Sequence, residues 1–143
     1  MASGGQWRNR WPLAVIAALI LVAGVVLLAT HGRTGDFTVH GSMSLVGTDN
    51  FASFGDNCAG SAGYDDLRDG AEVVISENGG KTVAVGTLEG SHSADGECLF
   101  RFDISGVPSG KGFYGILITH RGVVQFSERE MRDGPALTIG AGS

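Results

Sequence analysis

Two kinds of hydrophobic pattern divide the chain. From Pro12 to Thr30 it reads PLAVIAALILVAGVVLLAT, nineteen residues without a charge. As a helix this stretch would be roughly 28 Å long, close to the hydrocarbon thickness of a bilayer. A helix on a soluble domain carries a polar face, and this one has none. It predicts a transmembrane helix over residues 12–30, with Pro12 in the first turn and Trp7 and Trp11 at the interface. From Asp36 onward the pattern changes to period two. In FTVHGSMSLVG, Phe37, Val39, Met43 and Leu45 share one side, and in ECLFRFDIS so do Cys98, Phe100, Phe102 and Ile104.

Further strand-like runs are AEVVIS and TVAVGTLE, joined by the tight-turn sequence Asn78-Gly79-Gly80. FYGILITH and VVQFS, separated by Arg121-Gly122, predict a second hairpin, and PALTIG a last strand. Ser127 and Glu130 have capping-box spacing, which predicts one helical turn between the last two strands. The expected fold is one N-terminal transmembrane helix followed by an all-β antiparallel sandwich of about seven strands. Alternation places Val73, Ile75, Val85, Phe100, Phe102, Ile104, Tyr114, Ile116 and Ile118 in one core.

Charge orients the span. Residues 1–11 carry Arg8 and Arg10 and no acid, whereas HGRTG at 31–35 is a short linker with only Arg33. The positive-inside bias puts residues 1–11 in the cytoplasm and residues 36–143 outside, as an extracytoplasmic domain of a single-pass protein in a bacterial plasma membrane. The alternative, a cleaved signal peptide, fits less well because no A-x-A-like site follows the apolar core. Residues 36–143 hold all 15 acids but 7 of the 10 basic residues, a net charge of −8. That balance repels phosphate backbones, so nucleic acid is not an expected partner.

Cys58 and Cys98 are the only cysteines. A solitary pair in an exported domain is expected to bond, closing a 41-residue loop worth about 4 kcal/mol in the chain-entropy account. Cys58 opens a stretch rich in glycine and aspartate. Gly60 and Gly63 supply backbone freedom and Tyr64 a ring to tuck beneath the loop with its hydroxyl bonded, while Asp56, Asp65, Asp66 and Asp69 form an acidic rim for a basic partner. Oxygen ligands of this kind also suit Ca²⁺, although the spacing is not that of an EF-hand. Ser91-His92-Ser93 reads as part of a loop, no nucleophile elbow is present, and His31, His40, His92 and His120 lack ligand spacing. No cofactor and no catalytic residue is expected.

GAEVVISENGGKTVAVGTLE and CLFRFDISGVPSGKGFYGILITHRG together resemble the prealbumin-like sandwich of transthyretin-like and carboxypeptidase-regulatory-like modules, over residues 70–122. The whole chain is similar to uncharacterised single-pass membrane proteins of high-GC Gram-positive bacteria through Cys58, Gly60, Gly63, Tyr64 and Asp66, a Cys-x-Gly-x-x-Gly-Tyr-x-Asp pattern. Neither resemblance brings an activity. The functional expectation is a non-catalytic accessory domain docking on another membrane or envelope protein. The alternative is a Ca²⁺- or small-ligand-binding ectodomain using the Asp56–Asp69 loop.

Overall fold

The computed structural model describes residues 35–140. The expected segments at 1–11 and 12–30 lie outside that range, as does all of the linker but Gly35. Among the described residues no helix is long and apolar enough to cross a membrane.

Ten strands and one short helix follow Gly35. They are β1 (Asp36–Val46), β2 (Phe51–Phe54), β3 (Asn57–Gly60), β4 (Glu72–Glu77), β5 (Thr82–Thr87), β6 (Glu89–Ala94), β7 (Glu97–Pro108), β8 (Phe113–Ile118), β9 (Val123–Ser127), α1 (Glu128–Asp133) and β10 (Ala136–Ile139). Two four-stranded sheets have the orders β10-β1-β7-β6 and β5-β4-β8-β9, and β2 and β3 make a separate hairpin.

The two larger sheets share one core. Val39, Met43 and Leu45 of β1 and Cys98, Phe100, Phe102 and Ile104 of β7 are buried in the same cluster as Val73, Ile75, Tyr114, Ile116 and Ile118. Alternation along each strand sends these residues inward and their neighbours outward. A Cβ added to Gly86 would come within 2.6 Å of Ile104 Cγ1, so β5 lies directly over β7. This two-layer, mostly antiparallel arrangement is compatible with a sandwich.

The departures from the expected fold have local causes. The three additional strands are β2, β3 and β6. The first two have four residues each, too few to show a period, and β6, EGSHSA, is almost entirely polar. One pairing is parallel rather than antiparallel, because α1 carries the chain out of the second sheet and β10 runs alongside β1. Val85 is 55% exposed instead of buried. The β4–β5 register shifts between Ile75 and Ser76, so that Val83 has no directly paired partner and Val85 falls opposite the outward Val74. A one-residue slip moves a side chain to the other face. The helical turn is where its capping box put it, with Ser127 as N-cap and the Ser127 and Glu130 side chains bonded to each other's backbone N–H.

Candidate functional site

The stretch between Cys58 and Leu67 is built against the end of the domain where β1 finishes. Cys58 and Cys98 are bonded with Cα atoms 5.8 Å apart, fixing β3 to the first residues of β7. The loop then turns tightly: Tyr64 N–H donates to Ser61 O at 3.0 Å, Leu67 N–H to Tyr64 O at 2.8 Å, and Gly60 N–H to Leu67 O at 2.7 Å. Gly63 uses the conformational freedom expected of it, at φ +95°. Gly60 is needed for a different reason: a Cβ there would stand 1.9 Å from the Tyr64 carbonyl oxygen. Leu67 is fully buried and plugs the loop onto the core, a role legible only in its being the one large aliphatic between Phe54 and Val73.

The four aspartates do not act together. Asp56 is exposed, and its backbone carbonyl accepts from Ser93 N–H at 2.9 Å. Asp65 turns back on its own loop and accepts from Gly63 N–H at 3.3 Å. Asp69 accepts from Ser91 N–H at 3.1 Å, tying the loop to β6. Ser91 is thus a buried strut within a strand, not part of an open loop. Asp66 departs furthest from a solvated rim. It is half-buried and bonds both the Thr119 hydroxyl and the Arg121 guanidinium. Desolvation raises its pKa, but the hydrogen bonds from Thr119 and Arg121 outweigh that and hold the carboxyl below its ordinary value. Among the described residues no group of three or more metal-binding side chains is brought together, at this loop or elsewhere.

Arg121 is the residue the sequence reading passed over. It sits in the β8–β9 turn, where Thr119 adopts φ +51°, an uncommon conformation for a β-branched residue. Its Nη2 donates to Gly63 O at 2.9 Å and to Asp66, and its guanidinium lies 4.6 Å from the centre of the Tyr64 ring. Tyr64 is therefore held through its ring face by a cation, and among the described residues its hydroxyl has no hydrogen-bond partner, unlike the bonded hydroxyl expected for it. Among the described residues Arg121 Nε is buried with no acceptor.

The same arginine lines a groove of about 280 Å³ between the second sheet and the edge of the first. Met43, Ile118, Val124, Phe126, Leu137 and Ile139 form its apolar walls. Both flanking strands, β9 and β10, are the last of their sheets. A second apolar feature lies on the outer face of the second sheet. Val85, Val74, Leu117 and Val123 are direct cross-strand neighbours in that order, one from each strand. Val85 and Val123 are 55% and 52% exposed.

Comparison with protein-family models, with curated proteins and with solved structures finds no match to this chain.

Proposed function

We propose that this domain is a non-catalytic binding module, membrane-anchored through residues 12–30, with its prealbumin-like sandwich outside the cell and docked on another membrane or envelope protein. The observation that carries this reading is the aliphatic row Val85–Val74–Leu117–Val123, which crosses every strand of one sheet while its two ends stay in water. Contiguous exposed apolar surface on a small domain marks an interaction face. β-Branched side chains lose little rotamer freedom on being covered. The net charge of −8 over residues 36–143 favours a partner whose surface is basic around that row.

The test is purification of the full-length chain from membranes, wild type beside the double variant Val85→Lys, Val123→Lys. Both positions face water, so the variant keeps its fold. A partner that co-purifies with the wild type and is lost from the variant supports the reading. An unchanged set of co-purifying proteins contradicts it.

A further inference from the structure

The two sides of the sandwich are finished differently. On one, only Leu88 separates β5 from β6, and the chain crosses from sheet to sheet there. Leu88 N–H donates to Ala71 O beside the second sheet at 2.8 Å, while Glu89 already pairs with Arg101 in the first. Leu88 is fully buried, and Ser93 N–H on the far edge of β6 is taken by Asp56 O at 2.9 Å. That side is closed. On the other side β9 and β10 are each the last strand of a sheet, and the apolar groove lies along them. The backbone of β9 is left half paired. Glu128 N–H reaches Gly112 O at 2.9 Å, which continues the β8–β9 register by one pair. Hydrogen-bonded pairs alternate along an antiparallel ladder, so Phe126 and Val124 turn their backbone groups to β8, whereas Gln125 and Val123 turn theirs away. Ser127, next in that outward series, gives its N–H to the Glu130 carboxylate at 2.7 Å. Val123 and Gln125 are exposed, and among the described residues no backbone group outside β8 bonds theirs.

We propose that this open side binds an extended peptide segment of a partner protein, which adds antiparallel to β9 as a fifth strand and points alternate apolar side chains into the groove. The free N–H and C=O groups of Val123 and Gln125 select a strand, because a helix uses its own backbone groups internally and a lipid tail has none to offer. The groove selects the side chains. Peptide residues opposite Val124 and Phe126 point inward, towards Met43, Ile118 and Leu137, whereas those opposite Val123 and Gln125 make the backbone bonds and point outward. Antiparallel addition continues the pairing of every strand already in that sheet. Charge complementarity selects the flanks, since a net −8 over residues 36–143 favours basic residues on either side of the apolar ones. This inference does not rest on docking through the Val85–Val123 row, which lies on the outer face of the same sheet.

Residue-resolved hydrogen exchange on the full chain in lipid nanodiscs tests it, with the peptide acetyl-Lys-Val-Thr-Val-Thr-Val-Lys-amide as probe. Without peptide, the Val124 and Phe126 amides should exchange slowly and those of Val123 and Gln125 fast. With peptide at about a hundred times its dissociation constant, exchange at Val123 and Gln125 should slow by up to about a hundredfold. The Met43 methyl should shift saturably in the same titration, and that of Met131, fully buried and absent from the groove lining, should stay in place. N-methylation of both peptide threonines removes the donors that face β9 and should abolish both responses. N-methylation of the central valine, whose N–H faces away, should leave them. Gln125→Pro should also abolish binding, since an outward N–H on an edge strand is a position that tolerates proline. If that variant disturbs the Met131 signal, and hence the fold, the two N-methylated peptides on the wild-type chain decide alone. Unchanged exchange at Val123 and Gln125, or binding that survives threonine N-methylation, overturns the proposal. Protection of those two amides before any peptide is added, growing with the concentration of the chain, would assign the edge to a second copy and overturn it as well.

Discussion

The two ends of the domain use the same three kinds of side chain and finish in different states. Where β1 begins, the Arg132 guanidinium lies 4.0 Å from the centre of the Phe37 ring and pairs with Glu128. Where β1 finishes, Arg121 stacks on Tyr64 and pairs with Asp66. At the first end the arginine Nε and both carboxylate oxygens are paired. Arg132 gives Nε at 3.1 Å and Nη2 at 2.7 Å to one Glu128 oxygen, and the other oxygen takes Gly110 N–H at 2.7 Å and lies 3.2 Å from the Tyr114 hydroxyl. Tyr114 is fully buried and also bonds Pro108 O at 2.6 Å. At the second end the arginine keeps a buried Nε without an acceptor, beside an apolar groove. The same chemistry makes a closed clamp at one end and, among the described residues, an open one with an unpaired donor at the other.

The largest expected effect removes the framework common to both ends. Phe102 is 1% exposed beneath β1, and Phe102→Ala should cost about 3–5 kcal/mol. Thermal denaturation should show both ends lost in one transition, and a variant with an unchanged midpoint would break the shared core. Next is the disulfide, worth about 4 kcal/mol at most in the chain-entropy account and often less in practice. Replacing Cys58 and Cys98 with Ser should raise hydrogen exchange in residues 57–70 well above that in residues 108–116. Equal exchange at the two ends would mean that the bond does not hold the Arg121 side.

Part of this comparison was legible in the sequence. Period two located the inward residues of β7 and β8, the solitary cysteines gave the bond, and Ser127 with Glu130 gave the helical turn. These are local patterns, or consequences of having only two thiols. The Asp66–Arg121 pair joins residues 55 positions apart, and nothing in either neighbourhood announces the other. Val85 was misplaced because a bulge changes the facing of a strand without changing its composition. β6 stayed hidden because its partner strand, not its own apolar content, makes it a strand.

Smaller effects sharpen the contrast between the clamps. Asp66→Asn should cost about 1 kcal/mol, a hydrogen-bonded charge partly screened by water, and chemical denaturation would measure it. Acid should act on both ends. Asp66 is depressed by Thr119 and Arg121 against an opposing desolvation, Glu128 by Arg132 and Gly110, and Glu130 by Ser127. A carboxyl with a folded pKa below its unfolded one stabilises the fold above the unfolded value and loses that contribution as pH falls through the folded value. Stability should therefore be level from neutrality down to about pH 5 and decline below it. Asp66→Asn should make that decline shallower, and a steeper one would contradict the assignment. The smallest change in stability, within about 0.5 kcal/mol, is expected for Val123→Lys on the outer face, whose effect should appear in partner binding instead.

The open state of Arg121 is measured most directly by ¹⁵N–¹H spectra of the arginine Nε–H groups in the full chain, with Arg121→Gln and Arg132→Gln assigning the two signals. The Arg132 Nε–H should show the downfield proton shift of a charge-assisted hydrogen bond, because Glu128 accepts from it. The Arg121 Nε–H, buried without an acceptor among the described residues, should lie upfield of it. Two signals with the same proton shift would contradict the distinction between the closed clamp and the open one.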